Sequence, residues 1–150
     1  MLPVCQTYGM AVIPWSPLGG GWLAGGYRKG GTLPTSRRLE RIPLRFDLSL
    51  PANQRKLDAA DALASLAEDA GLSLIQMAIA FVLAHPAVTA AMIGPRTMDQ
   101  IEGQLEAIEV SLDAQLLDRI DEIVPPGTTI NPEDAGYNAP ALEQPSLRRR

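Results

Sequence analysis

Residues 88–105, Val-Thr-Ala-Ala-Met-Ile-Gly-Pro-Arg-Thr-Met-Asp-Gln-Ile-Glu-Gly-Gln-Leu, constrain this chain more than any other stretch. A short apolar run follows Pro86, Gly94-Pro95 is turn punctuation, and Thr97 with Gln100 has the capping-box spacing that opens a helix. The order is strand, tight turn, helix. A helix start leaves backbone N–H groups unpaired at the positive end of the dipole, and Arg96 stands just before it with a guanidinium fork that matches phosphate oxygens. Between Lys56 and Arg148, Arg96 and Arg119 are the only basic residues among 15 acidic ones, which favours an anionic ligand at Arg96. The plainer use of such an arginine is a surface ion pair worth under about 1 kcal/mol.

A second apolar run, residues 10–15, ends at Ser16-Pro17 and reads as a strand buried on both faces, as in a parallel sheet. Seven of the 13 glycines then fall between Gly19 and Gly31, so the strand feeds a loop whose backbone can approach another group closely. Residues 28–47 hold Arg28, Lys29, Arg37, Arg38, Arg41 and Arg45 without an apolar period and read as a long, mobile loop. After Pro51 the pattern becomes helical, with Leu57, Ala60, Leu63, Ala67 and Ala70 on one stripe and Gly71 as the stop. Ser73 and Gln76 form another capping-box spacing, followed by Leu74, Ala78, Phe81 and Val82 on one face up to His85-Pro86. Beyond residue 96 two helices are expected, 97–107 with Ile101, Leu105 and Ile108 inward, and 113–123 with Leu116, Leu117, Ile120 and Val124 inward. Residues 136–150 read as an irregular tail. The fold class is α/β, with parallel strands joined by helical crossovers, and two strands alone leave unpaired edges.

Several chemistries are disfavoured by the same residues. A net charge of −4 argues against bulk binding to nucleic acid or an anionic membrane, and the Arg28–Arg45 and Arg148–Arg150 clusters lack interleaved aromatics. One cysteine, Cys5, cannot close an intrachain disulfide, and neither a leader nor a membrane span is evident, so a cytoplasmic setting is expected. Gly19-x-Gly21-x-x-Ala24 matches a dinucleotide fingerprint, but the helix, strand and acidic residue that should follow are replaced by the arginine-rich loop, and no Walker lysine is present. His85 before Pro86 suits a helix end, and Glu102, Glu106 and Glu109 suit a solvated face rather than a metal site.

Trp15-Ser16-Pro17-Leu18 with Gly20, Gly21, Leu23, Gly25 and Tyr27, followed at the right separation by Ile93-Gly94-Pro95-Arg96-Thr97-x-x-Gln100, strongly resemble the C-terminal half of the aldo-keto reductases. The branch is the bacterial one related to potassium-channel β subunits and aryl-alcohol dehydrogenases, and the likeness covers residues 1–135. It implies an eight-stranded β/α (TIM) barrel, here incomplete, with 10–15 as the seventh strand and 88–93 as the eighth. It also implies that Ser16, Leu18, Gly20 and Leu23 line the pyrophosphate of NADP(H), and that Gly94, Arg96, Thr97, Gln100 and Gln104 hold its adenosine end and 2′-phosphate.

The resemblance has departures. Gly26 stands where the family usually has Lys, and Gly103-Gln104 where it has an acidic residue and Asn. The family's catalytic Asp, Tyr, Lys and His belong to earlier strands, and Tyr8, Tyr27, Tyr137, Lys29, Lys56 and His85 lie outside its catalytic motifs. The expectation is a truncated, cofactor-binding part of a reductase acting on small aldehydes or ketones, inactive by itself. The alternative is a non-catalytic regulatory or interaction module, which binds nucleotide or self-associates or pairs with a second chain through its open strand edges.

Overall fold

The computed structural model describes residues 1–134 and 140–147. In chain order its helices are α1 Leu2–Thr7, α2 Arg37–Arg41, α3 Pro51–Asp69, α4 Leu74–Ala84, α5 Met98–Leu105, α6 Ala114–Ile123 and α7 Pro140–Glu143. The sequence's punctuation accounts for the long ones. Pro51 occupies the first turn of α3, where its missing N–H costs nothing, and Gly71 at φ +72° turns the chain out of it. Ser73 opens α4 with a complete capping box: its Oγ accepts from the Gln76 N–H at 3.1 Å and its own N–H donates to Gln76 Oε1 at 2.8 Å.

Two apolar clusters hold these helices together. Ala64, Leu66 and Ala67 of α3 pack with Leu74 and Met77 of α4 and Ile120 of α6. Trp22, Tyr27 and Phe46 from the glycine- and arginine-rich region pack on Leu57 and Ala60, one turn earlier on the α3 surface. Leu23 touches both clusters and so fixes the glycine-rich loop to the helical body. Lys56 lies over the Trp22 ring, 4.7 Å from its centroid, which lets a lysine be nearly buried beside the aromatic cluster.

Residues 10–15 and 88–93 run side by side in parallel, as expected, but they pair through one bridge, Trp15 with Met92, rather than through a ladder. The hydrogen bonds give the reason. Thr89 N–H donates to the Val12 carbonyl and Met92 N–H to the Pro14 carbonyl, both at 2.9 Å. Three residues on one side thus match two on the other, a one-residue bulge, and Pro14 has no N–H to return a bond. The Thr89 hydroxyl fills one gap by accepting from the Val12 N–H at 3.2 Å.

Some expectations are corrected. Residues 10–15 are not buried on both faces, since Trp15 is 74% and Ile13 55% exposed. Helix α5 stops at Leu105 and continues as a 3-10 turn, Glu106–Glu109, and the face turned inward carries Gln104 and Ala107, three residues apart, while Leu105 and Ile108 face out. Phe81 and Ala70 are exposed, and α1 forms where no element was anticipated. The 28–47 stretch is organised by α2 and by ion pairs rather than being a featureless loop. Of the tail, Tyr137 and Arg148–Arg150 lie outside the described residues.

Candidate functional site

Because Trp15 and Met92 are bridged in parallel, the chain leaves both segments at the same end. Ser16 begins one exit and Gly94 the other, so the two motifs singled out in the sequence are brought to one edge of the molecule. At the first exit Ser16 takes the left-handed conformation, φ +59°, which costs a non-glycine residue about 1–2 kcal/mol. Its Oγ accepts from the Gly20 N–H at 3.1 Å, and its carbonyl from the Gly19 N–H at 2.9 Å. Gly19 and Gly20 are themselves at φ +56° and +72°, values that explain glycine there.

The loop's donors are largely spent internally. Gly21 and Leu23 both donate to the Leu18 carbonyl, at 2.9 and 3.2 Å. Of the four residues expected to line a pyrophosphate here, Ser16, Leu18 and Gly20 form the turn, and Leu23 is its apolar anchor. What the loop offers an anion is close approach at Gly20 together with a guanidinium that sequence reasoning missed: Arg38 Nη1 lies 3.5 Å from where a Gly20 side chain would begin. Arg38 is exposed and makes no ion pair among the described residues. Its position follows from α2, which Ser36 caps by accepting from the Leu39 N–H at 3.1 Å. Ser36 before a short charged run was the available signal.

At the second exit Thr97 caps α5, its hydroxyl accepting from the Gln100 N–H at 3.3 Å. The reciprocal bond is displaced by one residue, because Gln100 Oε1 accepts from the Arg96 N–H at 2.9 Å rather than from Thr97. Gln100 therefore fixes the backbone that carries Arg96. The guanidinium of Arg96 is exposed and, like Arg38, pairs with no carboxylate among the described residues. Met98 and Asp99 present unpaired amides at the start of α5, as helix geometry requires, although the Asp99 carboxylate competes for them. Gly94 is exposed with open space around it. Gln104 shares the Thr97 and Gln100 face but is 7% exposed, two turns inside α5.

Ion pairs hold the loop between the two exits. Arg28 Nε meets Asp61 at 2.8 Å and its Nη1 also binds Glu68, while Lys29 meets Asp58 at 2.8 Å. The hydrogen bond from Arg28 holds the Asp61 carboxyl below its ordinary range. Arg45 Nε, at 2.8 Å, and Lys56 Nζ both grip Asp134. Partial burial works against the Asp134 charge, but these two hydrogen-bonded cations win and hold its carboxyl low.

Other candidates resolve structurally. His85 closes α4, and its Nδ1 accepts from the Ala87 N–H at 3.1 Å, which ties the ring to the backbone just beyond the helix. Glu102, Glu106 and Glu109 are exposed, and Glu106 accepts from Gln76. No His, Cys, Asp and Glu grouping fit for a metal occurs among the described residues. No single described helix is long and apolar enough to cross a membrane.

Comparison with known proteins bears on the same motifs. The model of the aldo/keto reductase family matches residues 1–125. The chain is similar to the uncharacterized oxidoreductase YrpG of Bacillus subtilis, 35% identical over 83% of this chain and 35% of that protein. It is likewise similar to a putative voltage-gated potassium channel subunit beta of Schizosaccharomyces pombe, 33% identical over 83% of this chain and 37% of the other. Among solved structures it superposes on a glycerol dehydrogenase of Gluconobacter oxydans with a TM-score of 0.68 at 27% identity, covering 93% of this chain and 41% of that one. The chain spans about a third of the length of the curated relatives it matches.

Proposed function

This chain belongs to the aldo/keto reductase family, and from that premise we propose that residues 1–135 are the cofactor-holding end of an NADP(H)-dependent reductase barrel. Residues 10–15 and 88–93 would be its seventh and eighth strands, and residues 136–150 an appended tail. The observation that carries the reading is the parallel bridge between Trp15 and Met92, which sets the Ser16–Leu23 turn and the Arg96–Gln100 helix start at one end. Ligands of parallel α/β architectures bind at that end of the strands.

The two motifs divide the ligand by charge. The pyrophosphate would be held at Gly20, where Arg38 brings positive charge, and the 2′-phosphate by the Arg96 fork and the amides of Met98 and Asp99. Ser16 and Leu18 shape the first contact, Leu23 anchors it, and Gly94, Thr97, Gln100 and Gln104 shape the adenosine side. When bound, NADPH supplies the hydride for a carbonyl carbon of an aldehyde or ketone. The residues of this chain orient the cofactor, and the proton donor comes from the preceding β/α units.

Titrating the 150-residue protein with NADPH and following tryptophan fluorescence tests the binding claim. Saturable quenching, together with a rise in melting temperature, is expected. A flat titration and an unchanged melt up to millimolar NADPH would overturn it. The second reading, an interaction module, draws on the exposed Ile13, Trp15 and Met92.

A further inference from the structure

After α6 the chain turns at Gly127, φ +81°, and residues 128–134 run back along α3. Thr128, Ile130 and Pro132 line a groove together with Ala59 and Ala62 of α3 instead of filling it. Neither apolar cluster includes a residue of this strap, so its hold on the helical body is polar. Arg55 reaches the Ile130 carbonyl at 3.4 Å, a long bond, and the strong contacts gather at Asp134.

Asp134 joins two routes that both end at the glycine-rich turn. Along the first, Lys56 Nζ donates to the Asp134 carboxylate and, at 2.9 Å, to the Arg45 carbonyl, while the same ammonium lies 4.7 Å from the centre of the Trp22 ring. Trp22 is 5% exposed and directly follows Gly19–Gly21, so it anchors the turn that carries Gly20. Along the second, Arg45 Nε donates to the carboxylate at 2.8 Å. The Arg45 N–H then donates to the Ile42 carbonyl at 3.2 Å and the Ile42 N–H to the Arg38 carbonyl at 3.0 Å. The Arg38 guanidinium makes no ion pair of its own among the described residues, so the backbone of α2 and of the turn after it sets its place over Gly20.

We propose that residues 128–134 are a clasp on the phosphate-binding turn, with Asp134 as a positioning residue that ties Arg45 and Lys56 to one point and so keeps Arg38 over Gly20. The inference rests on the reading of Gly20 and Arg38 as the pyrophosphate contact and adds what controls it. Binding free energies are reciprocal, so a ligand that needs Arg38 in place tightens the clasp by the same factor as the clasp tightens the ligand.

The test compares the 150-residue protein with Asp134→Asn by hydrogen exchange and by NADPH titration. Without cofactor, exchange at the hydrogen-bonded amides of Ile42, Arg45 and Phe46 should rise by at least about tenfold in the variant. Unchanged exchange there overturns the clasp. With cofactor, Asp134→Asn should weaken NADPH binding by about five- to tenfold, and Asp134→Glu should recover most of that loss. Ile120→Val, which loosens the core away from the strap, should bind NADPH as the parent does.

A purely structural role for Asp134 would not reproduce the reciprocal measurement. Saturating NADPH should slow exchange at the Glu133 and Asp134 amides of the parent, by the factor that Asp134→Asn costs in affinity, and should leave the Asp134→Asn protein unaffected. Equal NADPH affinity in parent and variant, or a strap whose exchange ignores bound NADPH, overturns the coupling. A parent that binds no NADPH overturns the cofactor reading instead, and the cofactor-free exchange then decides the clasp by itself.

Discussion

Arg38 and Arg96 sit at the two ends of the candidate site, and they should fail in different ways. Arg38 lies over Gly20, against the part of a dinucleotide common to both nicotinamide cofactors, so Arg38→Ala should weaken NADPH and NADH binding equally, by about tenfold. Arg96 precedes the α5 start and would meet the 2′-phosphate, which NADH lacks. Arg96→Ala should therefore cost NADPH about tenfold or more and leave NADH nearly unchanged. Fluorescence titration of both variants with both cofactors checks this, and an equal loss at Arg96 would remove it from the 2′-phosphate. Arg96 was legible in the sequence because a lone cation before a capping box is conspicuous. Arg38 was not, because its place depends on the fold of a run whose charges show no period.

At the scale of elements, legibility followed the strength of local signals. The helices α3 and α4 were readable from Pro51, Gly71 and the Ser73–Gln76 box, and their burial has a measurable consequence. Met77 is 2% exposed between α3 and α6, so Met77→Ala should lower stability by about 2–5 kcal/mol in urea denaturation. The inward face of α5 was misread because the polar Gln104 is buried while the apolar Leu105 and Ile108 are left exposed, a tertiary choice that apolar periodicity does not encode. The grip of Arg45 and Lys56 on Asp134 was also invisible, since it joins residues 89 and 78 positions apart. Asp134 is held below its ordinary value of about 3.9, so its contribution is fully present above that pH and is lost as pH falls through its lower folded value. The melting temperature should be flat from about pH 7 to 5 and fall below about pH 4, and Asp134→Asn should remove part of that fall. A thermal melt series across pH 2–7 measures both.

For the whole molecule, the decisive expectation concerns turnover. Binding a cofactor lowers a reaction barrier only if the transition state gains something the ground state lacks, and carbonyl reduction develops negative charge on oxygen as hydride arrives. A positioned proton donor typically contributes 10²–10⁴-fold to such a step. Tyr27, one obvious candidate here, is buried in a three-ring cluster with Trp22 and Phe46, their ring centroids 4.3 and 5.8 Å from its own, and burial pushes its phenol up, away from acid duty near neutral pH. Tyr8 is exposed on the turn after α1, and Lys29 and Lys56 are engaged with Asp58 and Asp134. On the proposed function the isolated 150-residue protein therefore binds NADPH without consuming it. Incubation with NADPH and a simple aldehyde, followed at the nicotinamide absorbance, should give the background rate, and supplying the preceding β/α units should raise it. Aldehyde-dependent oxidation of NADPH by the isolated chain above background would place the proton donor among these residues after all, and the division between cofactor end and catalytic end would have to be abandoned.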